Sequence, residues 1–539
     1  MSARGSRATT RNANLLAWVV VAVVGVVVLA IVVGLDLFPR LDAGQNVLDG
    51  ARPAFTQERV VGDRVGITII DNVADMLDPI VDAEGGAAGE VGPLVDLVAG
   101  ATGLAPADVL SALEANFPNT YHLLLTLPLD EVSAEIPGLL TFVADNSELA
   151  DPGAVLDAIA ANTPDIAQAV TNLLVVTDNW RDIEGTTGVT RFDGVTMVDS
   201  VPEVRDLFQD DVITAVEVAA PDFRDLDEPW PAVDLIAPIL AAIGVIVLIF
   251  GILMMVLTRT DAYTRRVHIV GWSVVVLVGV LVAGGVLVLN LFPRLDAGQQ
   301  AIDELRPAFV EERIVGMEVG IAVVGNIAMM ADPIVDAEGG AAGEVGPLVE
   351  LVAGATGLAP ADVLTALEAN FPHTFHLLSA IPLDAVSAEV PDLLNFVADN
   401  SDLADADAVF AAISENTPGI AQALTNLLVV TDSFRDVPGI EPLTRFDGTP
   451  VRSVPEVVDY FGDDVVPTVR FVAEDYRTLD TTAPPIDLFP PLLLLVGILV
   501  IIYGGAMVIL AGATTRKPGD QRPEPGSRPV VSGPVVGAE

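Results

Sequence analysis

Leu37-Phe38-Pro39-Arg40-Leu41-Asp42-Ala43-Gly44-Gln45 returns unchanged as Leu291-Phe292-Pro293-Arg294-Leu295-Asp296-Ala297-Gly298-Gln299, an offset of 254 residues. The register holds without a gap as far as Arg191-Phe192-Asp193-Gly194 and Arg445-Phe446-Asp447-Gly448. Between Asp78–Pro118 and Asp332–Pro372 the copies differ only at Asp96/Glu350 and Ser111/Thr365. A period this long cannot be one turn of a solenoid. It describes one complete module, duplicated in tandem and fused, so whatever the first half folds into the second must also accommodate.

Four apolar runs, at 15–35, 235–257, 269–289 and 492–511, contain no Asp, Glu, Lys or Arg. Each is about 20 residues, enough to cross roughly 30 Å of hydrocarbon as a helix. They account for a mean hydropathy of +0.56, outside the range of an ordinary soluble chain. The first reads as an uncleaved anchor and not a signal peptide. Its twin at 269–289 is internal yet leads into the same Leu-Phe-Pro-Arg sequence, and no small-x-small cleavage pattern precedes Leu37.

Basic residues set the expected orientation. Arg4, Arg7 and Arg11 precede the first run, and Arg259, Arg265, Arg266 and His268 lie between the second and third. Arg516, Lys517, Arg522 and Arg528 follow the fourth. By the positive-inside bias all three segments are cytoplasmic, which places the inserts 36–234 and 290–491 outside. Trp18, Trp272 and Trp230 fall where interfacial aromatics are expected. The tail 512–539, rich in proline and glycine, is expected to be disordered, and the compartment expected is a bacterial cell membrane.

The inserts read as mainly α-helical. Val109, Leu110, Leu113 and Phe117 form a helical stripe, and Pro106, Pro118, Pro152 and Pro164 stand at or beside helix starts. Val65–Val81 suits either a helix or a short strand, and Arg191-Phe192-Asp193-Gly194-Val195 suits a hairpin with an Asp-Gly turn. Asn116-Phe117-Pro118 and Asn162-Thr163-Pro164 close similar helices, a trace of an older helical-hairpin repeat. The expectation is an all-α, polytopic membrane protein. It has four transmembrane helices and two duplicated helical extracytoplasmic domains, one per copy and side by side, with short hairpins. The two copies are related as parallel repeats, not inverted ones.

Chemistry is sparse. The net charge of −48 opposes nucleic acid and anionic partners, and the absence of cysteine excludes disulfides and thiolate metal sites. Asp78, Asp82, Glu84 and Glu90, repeated as Asp332, Asp336, Glu338 and Glu344, gather carboxylates beside a glycine-rich break. That pattern makes them the candidate site for Ca²⁺ or another divalent cation, although the spacing is not an EF-hand. The competing reading is a loop whose acids cap the next helix. His122 and His376 correspond, and His373 joins them only in the second copy, where the first has Asn119. A structural role is favoured for all three. Neither a nucleophile elbow nor a zinc-protease, Walker or dinucleotide signature is present. Gly284-Gly285 and Gly504-Gly505 suggest close helix packing.

The expected function is therefore a non-enzymatic membrane protein acting as an envelope-side binding, adaptor or scaffold component, its partners the lipid bilayer and an envelope protein or ligand. The alternatives are a component of a transporter or channel and, behind it, an envelope enzyme using carboxylates.

Overall fold

Proline punctuation dictates most of the helix starts. Pro106, Pro118, Pro152 and Pro164 each occupy the first turn of a helix, where a missing N–H costs nothing. Pro360, Pro372 and Pro418 repeat the pattern in the second copy. The junctions Phe117 (φ −137°, ψ 59°) and Thr163 (φ −139°, ψ 70°) have nearly the same backbone. The paired helices Pro106–Asn116/Pro118–Thr126 and Pro152–Asn162/Pro164–Asn179 thus share one local design.

The computed structural model describes residues 2–81, 86–127, 129–227, 231–260, 264–335, 340–481 and 485–513. Helix dominates them. The stretch that suited either helix or strand is the single helix Gln57–Val81. Among the described residues the expected hairpins shrink to isolated antiparallel bridges, Thr190 with Met197 and Thr444 with Pro450. Asp193 closes the first turn by accepting the N–H groups of Val195 (2.8 Å) and Thr196 (2.9 Å), leaving little length for a ladder.

Among the described residues, five helical segments are long and apolar enough to cross a membrane: Asn14–Gly34, Val233–Arg259, Arg266–Val288, Glu311–Val335 and Ile486–Ala511. Two further helix pairs pass together but bend by 97°. Glu311–Val335 differs from the other four single helices, with 67% of its most apolar window buried inside the protein against 17–33%.

The chain divides into two compact units. The first joins residues 1–42, 229–299 and 482–539 and holds the four long apolar runs. Its helices pair tightly within each copy, Ser2–Gly34 on Ile236–Arg259 and Arg265–Val288 on Phe489–Ala513. Glycine permits this. A Cβ on Gly25 would lie 2.6 Å from the Leu248 backbone nitrogen, and one on Gly251 would lie 2.8 Å from that of Ala22. Gly279 and Gly497 repeat the fit against Ile501 and Ala283. Of the glycines expected at such contacts only Gly504 serves. Gly284, Gly285 and Gly505 face open space. Asp36 (φ 47°) and Asn290 (φ 51°), residue types that tolerate the left-handed region, break the chain before the next helix in each copy.

The second unit joins residues 43–228 and 300–481, so both inserts build one compact body and not one lobe per copy. Helix Gln57–Val81 of the first copy packs on Pro418–Ser433 of the second, and Glu311–Val335 packs on Pro164–Asn179. Several cross-copy contacts have a mirror image. Arg59 donates to the carbonyls of Thr444 (3.0 Å) and Arg445 (2.9 Å), and Arg313 donates to those of Thr190 (2.9 Å) and Arg191 (2.7 Å). Gly62 fits under Leu443, and Gly316 under Val189. Reciprocal contacts of this kind define an isologous interface, with an internal two-fold axis relating the copies.

Candidate ligand cavity on the internal two-fold axis

Helices Pro118–Thr126 and Pro372–Ala380 meet across the axis. Each start is held by a carboxylate from the other copy. Glu389 Oε2 accepts the N–H (2.8 Å) and the hydroxyl (2.9 Å) of Thr120, and Glu135 Oε2 accepts the same groups of Thr374 at the same distances. These N–H groups have no partner within their own helix, and the negative charge suits the positive end of the helix dipole. One turn on, His122 Nδ1 lies 3.0 Å from His376 Nδ1, with the rings stacked. One imidazole donates and the other accepts, so the contact requires at least one neutral ring.

Burial is the main cause that pushes both histidines below the ordinary value. At His122 the carboxylates Glu114, Glu368 and Glu389 oppose it, and at His376 the neighbouring His122 reinforces it. His373 binds Glu131 through Nε2 at 2.7 Å. Its counterpart Asn119 donates to Glu389 Oε1 at 2.7 Å.

The same helices line a cavity of about 100 Å³. Among the described residues its wall is formed by 24 residues, twelve from each copy, and every one has its partner at the offset of 254. Met76/Met330, Leu123/Leu377, Ile166/Ile420 and Ala169/Ala423 are such pairs, and the described residues of the wall expose no polar atom. Such a space is dry and can hold only an apolar group.

Of the eight acidic residues expected at a cation site, Asp78, Glu90, Asp332 and Glu344 are among the described residues, and each has a protein partner. Glu90 Oε2 accepts the Ile420 N–H at 2.9 Å, and Glu344 Oε2 accepts that of Ile166 at 3.0 Å. Both cap a helix of the other copy. Asp78 receives the Trp180 indole N–H at 3.1 Å and pairs with Arg181 at 3.2 Å, and Asp332 pairs with Arg435. Asp82, Glu84, Asp336 and Glu338 lie outside the described residues. Among the described residues no group of three or more histidine or acidic side chains is arranged to hold a metal.

A further polar feature breaks the symmetry. Asp63 is 5% exposed and lies by Tyr460, which is fully buried. Burial raises this carboxyl from 3.8 to about 7, against the opposing pull of the Tyr460 hydroxyl and Arg59. The corresponding positions hold Met317 and Leu207.

The histidine contact and the axis cavity were missed in the sequence reading, although a signal existed. A residue lying on a two-fold axis touches its own twin, and His122/His376 is an aligned pair of a rare residue in a chain with four histidines. Comparison of the chain with protein-family models, curated proteins and solved structures finds no match.

Proposed function

We infer that this is a non-enzymatic, multi-pass membrane protein whose fused exterior binds a small apolar ligand, or an apolar side chain of an envelope partner, on its internal two-fold axis. The reading has four spans. Glu311–Val335 is assigned to the exterior because it is mostly buried in protein and its counterpart Gln57–Val81 carries Asp63, Arg64, Asp71 and Asp75. The basic flanks support a reading with both termini in the cytoplasm and the acidic unit outside a bacterial cell membrane.

The axis cavity carries this reading. At roughly 24 cal/mol per Å³, an unfilled space of about 100 Å³ forfeits about 2 kcal/mol of stability. Both copies keep that cost at all twelve paired positions, where a larger side chain at Ala169 or Ala423 would remove it. Retained emptiness supports a binding role over a packing role.

The test is photolabelling of the full chain in nanodiscs with a short alkyl diazirine, followed by peptide mapping. Label is expected within Pro118–Thr126 and Pro372–Ala380 and should be lost in Ala169→Phe/Ala423→Phe, which should also melt higher. Equal labelling of both proteins at those helices would overturn the reading.

A further inference from the structure

The membrane unit contains a second apolar space, of about 450 Å³, between its two helix pairs. We propose that it is an intramembrane site for one acyl chain of an anionic phospholipid, entering sideways between the pairs. The inference rests on the four-span reading but not on the axis cavity of the exterior.

The wall of this space is aliphatic and aromatic and includes Val24, Val278, Phe250 and Tyr503, with essentially no exposed polar atom. Water or an ion would find nothing to bind there. Left empty, the space would deprive the whole wall of dispersion contacts. The solvent around four spans is hydrocarbon, so the natural filler is a lipid tail. The space is not sealed: Val23, Val27, Ile246 and Leu499 line it and are 45–60% exposed.

Both ends argue for a tethered chain over a free apolar molecule. At one end Trp18 and Trp272 stack at 4.1 Å, both fully buried, and the Tyr503 hydroxyl donates to the Ala17 carbonyl at 3.3 Å. That end is closed. At the other, a narrow extension shares Val28, Leu240, Leu493 and Val496 with the main space and reaches Leu37 and Phe489. The Arg40 guanidinium sits 5.8 Å from the centre of the Phe489 ring. Arg40, 2% exposed, therefore puts a buried positive charge at this end of the space, which favours an occupant whose chain ends in a net negative phosphate.

Trp18 and Trp272 provide the readout. Being fully buried, they are out of contact with annular lipid and are quenched by a brominated chain only if it enters. The experiment uses full-length protein carrying Trp230→Phe, in nanodiscs of phosphatidylglycerol or phosphatidylcholine brominated at mid-chain. Trp180, 1% exposed, supplies a constant background. Quenching is expected in phosphatidylglycerol and should fall at least twofold in Val24→Phe/Val278→Phe. It should persist in the lipid-facing control Val26→Phe. Arg40→Gln should erase the preference for phosphatidylglycerol over phosphatidylcholine. After delipidating washes in mild detergent, the wild type should retain about one phospholipid per chain by phosphorus assay. Absence of quenching, quenching untouched by the filling pair, no retained phospholipid, or retention of an apolar molecule other than a phospholipid would each overturn the proposal.

Discussion

Asp63 shows how a single side chain can make the two halves chemically unequal. A buried carboxyl raised to about 7 is protonated in the folded protein at pH values where the unfolded chain has already lost its proton. The folded state then holds the extra proton between about 3.8 and 7. Stability contributed by this group is therefore full below that window and is lost as pH rises through it, by roughly 1 kcal/mol per pH unit. Asp63→Met, which installs the residue found at position 317, should raise stability at pH 8 by about 1–3 kcal/mol. It should also flatten the pH dependence across the window. Thermal melts of both proteins at pH 5 and pH 8 check this, and an equal pH slope would refute it. The histidine pair has the opposite sign. Both imidazoles are depressed from 6.5, so the unfolded chain takes up protons first and stability falls as pH drops below about 6.5. His122→Phe/His376→Phe should reduce that acid sensitivity, which the melting temperature between pH 7 and pH 5 would report.

At the level of elements, helix ends carry much of the specificity. Glu135, Glu389, Glu90 and Glu344 each satisfy N–H groups at the start of a helix in the other copy. Glu135→Ala should cost about 1–2 kcal/mol, the loss of a cap plus exposed donors, and Glu389→Ala should cost more, because Asn119 also donates its side-chain amide to Glu389. Denaturant unfolding of each variant measures this. A near-zero effect in both would mean the carboxylates are incidental. The helices themselves were legible in advance because proline at a first turn and apolar residues at helical spacing are local signals. Phe117 and Thr163 were placed correctly as junctions for that reason. The caps were only half legible. Acids near Gly85 and Gly86 suggested helix starts, but the helices they serve lie 330 and 178 residues away in the other copy, beyond any local pattern. The hairpin at Asp193 was overestimated because its Asp-Gly turn is strong while the flanking residues are too few to pair.

The largest gap between sequence and structure is at the level of the molecule. Two copies of one module present closely similar surfaces, so a helix finds comparable contacts against its own copy or against the twin. Hydrophobic periodicity records that a face is buried and is silent about which copy buries it. The interlocked arrangement, with Gln57–Val81 on Pro418–Ser433 and Glu311–Val335 on Pro164–Asn179, emerges only from the three-dimensional contacts. It has a consequence that separate lobes would not share. Because the core of unit 43–228/300–481 is made of cross-copy contacts, neither half buries its apolar faces alone, and the covalent link between copies serves concentration more than structure. A protease site introduced between Thr260 and Thr264 should allow complete cleavage without dissociation. The two fragments should co-elute in mild detergent at the mass of the intact chain, and they should separate only under conditions that also unfold the helices. Expressed singly, each half should either aggregate or form a homodimer that reproduces the exchange with itself. Fragments that part immediately after cleavage, each folded and monomeric, would show that the copies are independent lobes and would remove the axis cavity along with the interlock.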